Sequence, residues 1–381
     1  MIDGLKILTL IFLQMLFMKI KDITNYLEEL APLNYAEDFD NVGLLVGNYC
    51  TEVTGVLVTL DTLEETVDEA IAKKCNLIVS FHPIIFGGLK KLNGNSYVER
   101  VVLKAIKNDI AIYATHTALD NSKNGVSAKM CEVLGLNNTK ILIPKKKIIK
   151  KLTTYVPLDN ADEIRNSLFK AGAGNIGKYD NCSFNILGEG TFRGNENSNP
   201  TLGKKGENHT EKEVLISVIF ESKNEASILK ALQENHPYEE VAYEIVTTEN
   251  VHQYIGMGMI GEFSSAMDEK EFLMYLKKTM KTDCVRHSNF INKKIKKVAV
   301  LGGSGSFAIS NAKRAKADAY VSADFKYHEF FKAENSILLA DIGHYESEQF
   351  TKNLLVDYLT KKFSNFAIIL SEKSTNPIYY I

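Results

Sequence analysis

The order strand, helix, strand, helix, strand occurs twice in this chain, once over Val53 to Asp120 and again over Lys296 to Glu348. In the first copy VTGVLVTLD predicts a strand, TLEETVDEAIAKK an amphipathic helix, NLIVSF a strand, SYVERVVLKAIKND a helix and IAIYATH a third strand. In the second, KKVAVLG, SFAISNAKRAKA, AYVSAD, KYHEFFKAEN and ILLADIGH follow the same order. Apolar strands separated by helices of roughly a dozen residues predict parallel pairing through right-handed crossovers. Ligands of such sheets gather beyond the carboxyl ends of the strands, so the chemistry is sought there.

Those ends carry four of the eight histidines. SFHP places His82 after the second strand of lobe one, and ATHTALD places His116 and Asp120 after the third. In lobe two SADFKYHE supplies Asp324 and His328, and DIGHYESE supplies His344 and Glu348. Two of these ends share one arrangement, a histidine with a carboxylate four residues later. On a helical turn that spacing puts both side chains on one face, where they converge on one ion. A single H-x-x-x-D/E more often marks a cap, a surface pair or a satisfied buried histidine. Its recurrence at equivalent ends, beside His82 on the adjacent strand, points to a divalent metal site built from His82, His116, Asp120, His344 and Glu348. Imidazole with carboxylate suits Zn, Fe, Mn, Co or Ni rather than calcium, and the donor set does not choose among them.

Composition sets the outer limits. A chain of 381 residues with 45% apolar character can bury substantial cores and divides into two or three domains. Its net charge of -2 provides no basic field for phosphate backbones, so nucleic acid is not an expected partner. Five cysteines without a C-x-x-C spacing argue against a disulfide framework or a thiolate zinc knuckle and suit a reducing cytoplasm. The apolar run Leu5 to Phe17 is interrupted by Lys6, Thr9 and Gln14 and is short for a bilayer span, so no membrane is expected. No small-residue cleavage site follows it, which weighs against a signal peptide. Residues 1–17 read as a spurious N-terminal extension, with Met18 as the initiator before a helix over Ile20 to Glu29.

Between the repeats, residues 146–250 differ in character. The basic run KKKIIKK introduces them, and they contain a polar loop from Gly188 to His209. Their order is strand (KLTTYVPL), helix (ADEIRNSLFKAG), strand (NCSFNILG), strand (EVLISVIFE), helix (NEASILKALQEN), then HPYEEVAYEIV, a pattern compatible with a ferredoxin-like α+β sheet. The expected organisation is therefore an α/β protein whose two related three-layer lobes, 18–145 and 251–381, form one metal-binding domain interrupted by an inserted α+β domain. His236 in HPYEE is expected to serve a turn, and His209, His252 and His287 are expected in loops or at the surface.

Six ordered blocks then make a resemblance usable: EDFDNVGLLVG (37–47), SFHPIIFGGLKKL (80–92), THTALDNSKNGVS (115–127), VAVLGGSGS (298–306), SADFKYHE (322–329) and DIGHYESE (341–348). Together they resemble the GTP cyclohydrolase I type 2 homologues, the Nif-three-like dinuclear metal-centre proteins, over essentially everything from Met18 onward. The resemblance implies two divalent ions per subunit between the lobes and a toroidal homohexamer. Its matching ligand positions are His82, Asp120, His344 and Glu348, with His116 a further ligand and Glu348 the bridge. The insert resembles that of longer family members, similar to PII and CutA proteins, in which trimer contacts and small-molecule sensing are common. Many relatives carry two adjacent histidines where this chain has Phe81 and His82. A phenyl ring ligates no metal, so one ion is weaker, holds an extra water or is absent unless His116 supplies the nitrogen.

Other motifs in the chain have plainer roles beside their functional ones. Gly303-Ser304-Gly305-Ser306-Phe307-Ala308 fits a dinucleotide-like G-x-G-x-x-A, against which stands a tight strand-to-helix turn. A Ser304 nucleophile fails because the elbow motif needs glycine where Ser306 stands. Asp324 and His328 are candidates to orient a ligand or shuttle a proton, and Asp40, Asn41 and Asp61 to line or support the same cleft. Two functions remain open on these residues. One is a metal-dependent hydrolase acting on a nucleotide or related heterocycle, the substrate class coming from the family label alone. The other is a non-catalytic metal-binding or metal-delivery protein, or a small-molecule sensor.

Overall fold

The computed structural model describes residues 18–381, and the apolar run Leu5 to Phe17 lies outside the described residues. The chain forms two compact units, one running to Ile143 and again from Tyr254 to Ile381, the other comprising Pro144–Gln253. In chain order the first unit begins with α1 (Ile20–Leu30), β1 (Gly43–Val46), β2 (Val56–Thr59), α2 (Glu64–Ala72), β3 (Leu77–Ser80), α3 (Tyr97–Lys107) and β4 (Ala111–Ala114). A single helical turn α4 (His116–Asp120), then α5 (Val126–Leu134) and β5 (Asn137–Pro144), lead to the second unit. That unit holds β6 (Ile149–Pro157), α6 (Ala161–Lys170), β7 (Phe184–Arg193), β8 (Asn208–Glu221), α7 (Glu225–Asn235) and β9 (Tyr243–Thr247). The chain returns through β10 (Gly256–Met267), α8 (Glu269–Thr279), β11 (Arg286–His287), β12 (Ile295–Ser304), α9 (Ile309–Arg314), β13 (Ala319–Ala323) and β14 (Leu338–Asp341). It ends with a second single turn α10 (His344–Glu348), α11 (Thr351–Lys362) and β15 (Ile368–Leu370).

Strands β2, β3 and β4 read VLVT, LIVS and AIYA, and every residue in them is buried. Continuous apolar runs of this kind belong to parallel strands covered on both faces. They pair in parallel within a five-stranded sheet of order β1-β4-β3-β2-β15, in which β1 alone runs antiparallel. One face packs Val56, Val58 and Val79 against Ile23 and Leu27 of α1 and Leu355 and Leu359 of α11. The other packs Leu57, Ile78 and Ile112 against Val67 and Ala70 of α2 and Val101 and Ala105 of α3. The second sheet has the order β11-β14-β13-β12-β10-β5, with β12, β13 and β14 parallel. The repeated strand–helix order thus produces two parallel triplets, β2-β3-β4 and β12-β13-β14, whose last strands each run into a five-residue helical turn.

Two features depart from the sequence expectation. The lobes exchange their ends: β15 pairs with β2 through Ile368↔Val56 and Leu370↔Val58, although the sequence assigned 251–381 to lobe two. Conversely β5, assigned to lobe one, forms the edge of the second sheet. Each exchanged strand covers a sheet edge that would otherwise present unpaired backbone groups. The segment KYHEFFKAEN, expected as an α-helix, is a tighter 3-10 run over Tyr327–Ala333. Its core contacts, Phe330 and Ala333, are three residues apart, the spacing of that helix, and Glu334 and Asn335 then take positive φ and stop it.

In the second unit an antiparallel four-stranded sheet has the order β7-β8-β6-β9. Leu152, Val156, Val214, Ile216 and Val218 on one face pack against Ile164 and Leu168 of α6 and Ile228 and Leu232 of α7. Alternate residues of β8 face the opposite side.

Candidate metal centre

The centre lies beyond the ends of β3, β4, β13 and β14. After β3 the chain turns with the Ser80 hydroxyl donating to the His82 carbonyl (2.8 Å), while the His82 amide donates to the Leu60 carbonyl (2.9 Å). His82 Nε2 then lies 3.1 Å from Glu348 Oε2, and His344 Nε2 lies 3.2 Å from the same oxygen. Ligand atoms of His82, His344 and Glu348 all fall within 4.8 Å of one another, and this is the one such group among the described residues. Glu348 is buried.

Each of three imidazoles turns its Nδ1 to an aspartate. His82 pairs with Asp61 Oδ1 (2.8 Å), His116 with Asp40 Oδ1 (2.7 Å) and His344 with Asp324 Oδ2 (2.7 Å). This carboxylate–histidine arrangement fixes the ring and leaves Nε2 as the nitrogen available to a ligand. The aspartates are themselves held: Asp61 Oδ2 accepts from the Thr375 hydroxyl (2.5 Å), and Asp40 Oδ2 accepts from the Thr117 amide (3.0 Å) and hydroxyl (2.5 Å). His116 takes φ 22°, a sparsely populated backbone region that persists only where surrounding contacts over-determine it. The Asp40 clamp on His116 and Thr117 is such a contact.

Burial opposes ionisation here, yet the charge pattern is strongly polarised. Burial alone would push His82 down, but the neighbouring Asp61 and Glu348 carboxylates raise it to about 10. His344 is raised to about 11 against burial by Asp324 and Glu348. Glu348, although buried, is held at about 2 by His344 and His82. Asp120 goes the other way: burial first, then the Glu348 charge, drive it well above the ordinary carboxylate range. With Nδ1–H committed to an aspartate, a neutral imidazole presents an Nε2 lone pair to Glu348 Oε2, which has no hydrogen-bond partner. Two added protons or one shared cation resolve that opposition, so the donor set fits a divalent ion.

The structure brings His82, His344 and Glu348 together and sets His116 beside them, its ring centroid 5.3 Å from that of His82. Asp120 senses the charges of Glu348, His82 and His344. Both i, i+4 pairs sit on five-residue helical turns, as their spacing predicts. Phe81 is fully buried in the lobe-one core, with its ring 4.9 Å from His82 and 5.6 Å from His116. It backs the imidazoles. His328 is exposed, and its ring contacts are Tyr327 (5.2 Å) and Phe331 (6.1 Å) rather than the His82–His344–Glu348 group. Asp324, its companion candidate, is the partner of His344.

Glycines of the GGSGS run have a packing explanation. A Cβ on Gly303, which has φ +67°, would come within 2.3 Å of Glu348 Oε1, and one on Gly305 within 1.9 Å of the Ser322 hydroxyl. The Gly303 amide donates to Ser347 Oγ (2.8 Å) on the α10 turn. These contacts support the tight-turn alternative, in which glycine lets β12 approach the turn carrying Glu348. Of the remaining histidines, His236 accepts from the Tyr238 amide at Nδ1 (3.2 Å) and donates to the Tyr155 carbonyl (3.0 Å), an ordinary turn role. His209 pairs with Glu211 and His252 with Glu221, while His287 stacks on Phe290. Sequence reasoning missed Thr375 and Phe86. Thr375 lies 314 residues from the aspartate it supports, and no local pattern links them. Phe86 carried no signal beyond its place in the SFHPIIF block.

Fold and site together define a class: two-lobed α/β proteins with a histidine–carboxylate centre capable of holding a divalent ion where the lobes meet. The pattern of the family described as Duf34/NIF3 (NGG1p interacting factor 3) matches residues 18–377, and the chain belongs to that family. A Bacillus subtilis (strain 168) protein named GTP cyclohydrolase 1 type 2 homolog is 37% identical over 371 residues, covering 95% of this chain and 98% of the relative. A Halalkalibacterium halodurans protein of the same name is 35% identical over 359 residues, covering 93% and 96%. Among solved structures, a Bacillus cereus protein related to NIF3 superposes with a TM-score of 0.81 at 35% identity, covering 96% of this chain and all of the other. No helix among the described residues is long and apolar enough to cross a membrane.

Proposed function

We infer that this chain is a divalent-metal-dependent hydrolase. His82, His344 and Glu348 would hold one ion, and His116 and Asp120, with Glu348 between them and the first set, would hold a second. The observation that carries this reading is Glu348 Oε2, buried without a hydrogen-bond partner at 3.1 and 3.2 Å from two imidazole nitrogens. A bound divalent ion supplies Lewis acidity and lowers the pKa of water toward ~7. The chain's own residues do the rest. Asp61, Asp40 and Asp324 fix the three rings. Asp120, raised by burial and by Glu348, would give up its proton on taking part in the second ion's site.

A flat heterocycle suits the surroundings of the centre. Phe39 and Phe86 are 67% and 54% exposed with ring centroids 6.4 Å apart, and Phe86 lies 6.1 Å from the His116 ring. Two solvent-facing phenyl rings beside a metal-ligating imidazole offer a stacking surface for a purine-like ring. The relatives' name points to the same substrate class. A non-catalytic metal-binding or delivery role is the second reading, favoured by the partial exposure of His344 and Asp324, which would let an acceptor reach the ion.

Turnover separates the two. The chain loaded with Mn, Fe, Co, Ni or Zn is assayed on purine nucleotides, phosphodiesters and cyclic amides beside Glu348→Ala. Hydrolysis absent from the variant supports the enzyme, whereas ion transfer to an acceptor without hydrolysis supports delivery. The remaining parts of the reading are a cytoplasmic location, a homohexamer and a PII/CutA-like, ferredoxin-like insert. The unpaired state of all five cysteines and the β7-β8-β6-β9 order of the second unit support the first and last of these. Sedimentation of the purified chain tests the hexamer.

A further inference from the structure

The second unit contains a cavity of about 580 Å³ on the sheet face opposite its helices, a volume typical of small-molecule sites. Its floor is a cross-strand row, Ile186–Leu215–Tyr155, followed by the pair Gly188–Glu213. Phe192 and Tyr238 form a wall, their ring centroids 5.7 Å apart. The loop after β7 closes over it, stitched to the segment after α7 by the Asn199 amide on Glu239 Oε1 (2.7 Å) and the Thr201 hydroxyl on the Pro237 carbonyl (2.7 Å).

Glu213 sits in this floor at 8% exposure. Its Oε1 accepts from the Tyr238 hydroxyl (2.8 Å), and no cationic side chain forms an ion pair with it among the described residues. A carboxylate of low exposure that faces a cavity with one hydroxyl partner and no ion pair is placed to receive a positive group. The cavity lining supplies three further carboxylates, Glu189, Glu239 and Glu240, against one guanidinium, Arg193. Its aromatic faces are those that attract organic cations. The lining carboxylates do not converge tightly enough for a metal ion, since the group His82, His344 and Glu348 alone meets that condition among the described residues. Gly190 shows that the room for Glu213 is built in: a Cβ there would fall 2.1 Å from Glu213 Oε2.

We propose that this cavity binds a small organic cation, an amine or guanidine on an apolar body, with its charge on Glu213 and its body between Phe192 and Tyr238. The site is separate from the metal centre and stands whether or not that centre turns over substrate.

Ligand-observed NMR titration of the full chain with phenethylamine and agmatine, against 3-phenylpropionate as the matched anion, tests it. Two variants locate the binding. Glu213→Gln removes the charge. Gly188→Leu fills the cavity from a position where an added Cβ meets nothing within 4 Å. Circular dichroism melts show that each variant folds. At least one amine is expected to bind with a Kd below about 1 mM, weakened about tenfold or more in Glu213→Gln and lost in Gly188→Leu, while the anion does not bind. Failure of both amines to bind, equal binding of the anion, or binding that survives both variants overturns the proposal.

Discussion

The turns after β4 and β14 carry the same spacing, His116 with Asp120 and His344 with Glu348, yet their carboxyls sit at opposite protonation extremes. Glu348 is held ionised at about 2 by two imidazoles, whereas Asp120 is driven well above the usual range by burial and by Glu348 itself. The lesson is that a repeated motif does not make two equal sites. The longer glutamate reaches between His82 and His344, and the aspartate is left facing a charge of its own sign. An ion shared by His82, His344 and Glu348 should therefore bind first and tightly. One relying on His116 and Asp120 should bind second and weakly, because among the described residues only the atoms of His82, His344 and Glu348 converge within 4.8 Å of one another.

The most severe way to break that asymmetry is Glu348→Ala, which removes the oxygen facing both rings. Metal titration calorimetry should show a loss of more than about 100-fold in affinity for the first ion, since even changes to the partners of metal ligands cost about 10–100-fold. Asp61→Asn and Asp324→Asn sharpen it: each frees one ring of the tight site and should cost about 10–100-fold there. Equal weakening from Asp40→Asn, which frees His116, would contradict the ranking of the sites. Smaller still is Asp120→Asn, expected to abolish the second ion while leaving the first within about 3-fold. Ions in this count are read by elemental analysis.

Proton competition gives the mildest effect. His82 and His344 titrate at about 10 and about 11 without metal, so near neutral pH an ion displaces a proton from each ring. Apparent affinity should then rise with pH, by up to ~2 log units per pH unit between about pH 6 and 8, and binding should release ~2 protons. Calorimetry in buffers of differing ionisation enthalpy measures that number. A pH-independent affinity would mean that the rings are already neutral.

Much of this was legible in the chain. Period and composition located β2 to β4 and β12 to β14, and with them the strand ends that present His82, His344 and Glu348. Asp40, Asp61 and Asp324 were identifiable as supporting residues, because each stands at a strand end or in a loop expected near the cleft. The exchange of β15 and β5 between lobes was not legible. A strand of three residues has too few positions to show alternation, and its partner β2 lies more than three hundred residues away in sequence. Nor could spacing reveal the contrast between Asp120 and Glu348, which depends on the field of neighbours from the ends of β3 and β14 and the loop before β1. The cavity of the second unit gathers β7, β8 and the HPYEE segment without any motif of its own.

Crystals soaked with Mn or Zn and measured at the metal's absorption edge test the central claim most directly. The account predicts that the strongest anomalous peak lies within about 2.0–2.2 Å of His82 Nε2, His344 Nε2 and a Glu348 carboxylate oxygen, with any second and weaker peak beside His116 and Asp120. A strongest peak anywhere else, or none at Glu348 in a folded, fully soaked protein, would contradict it.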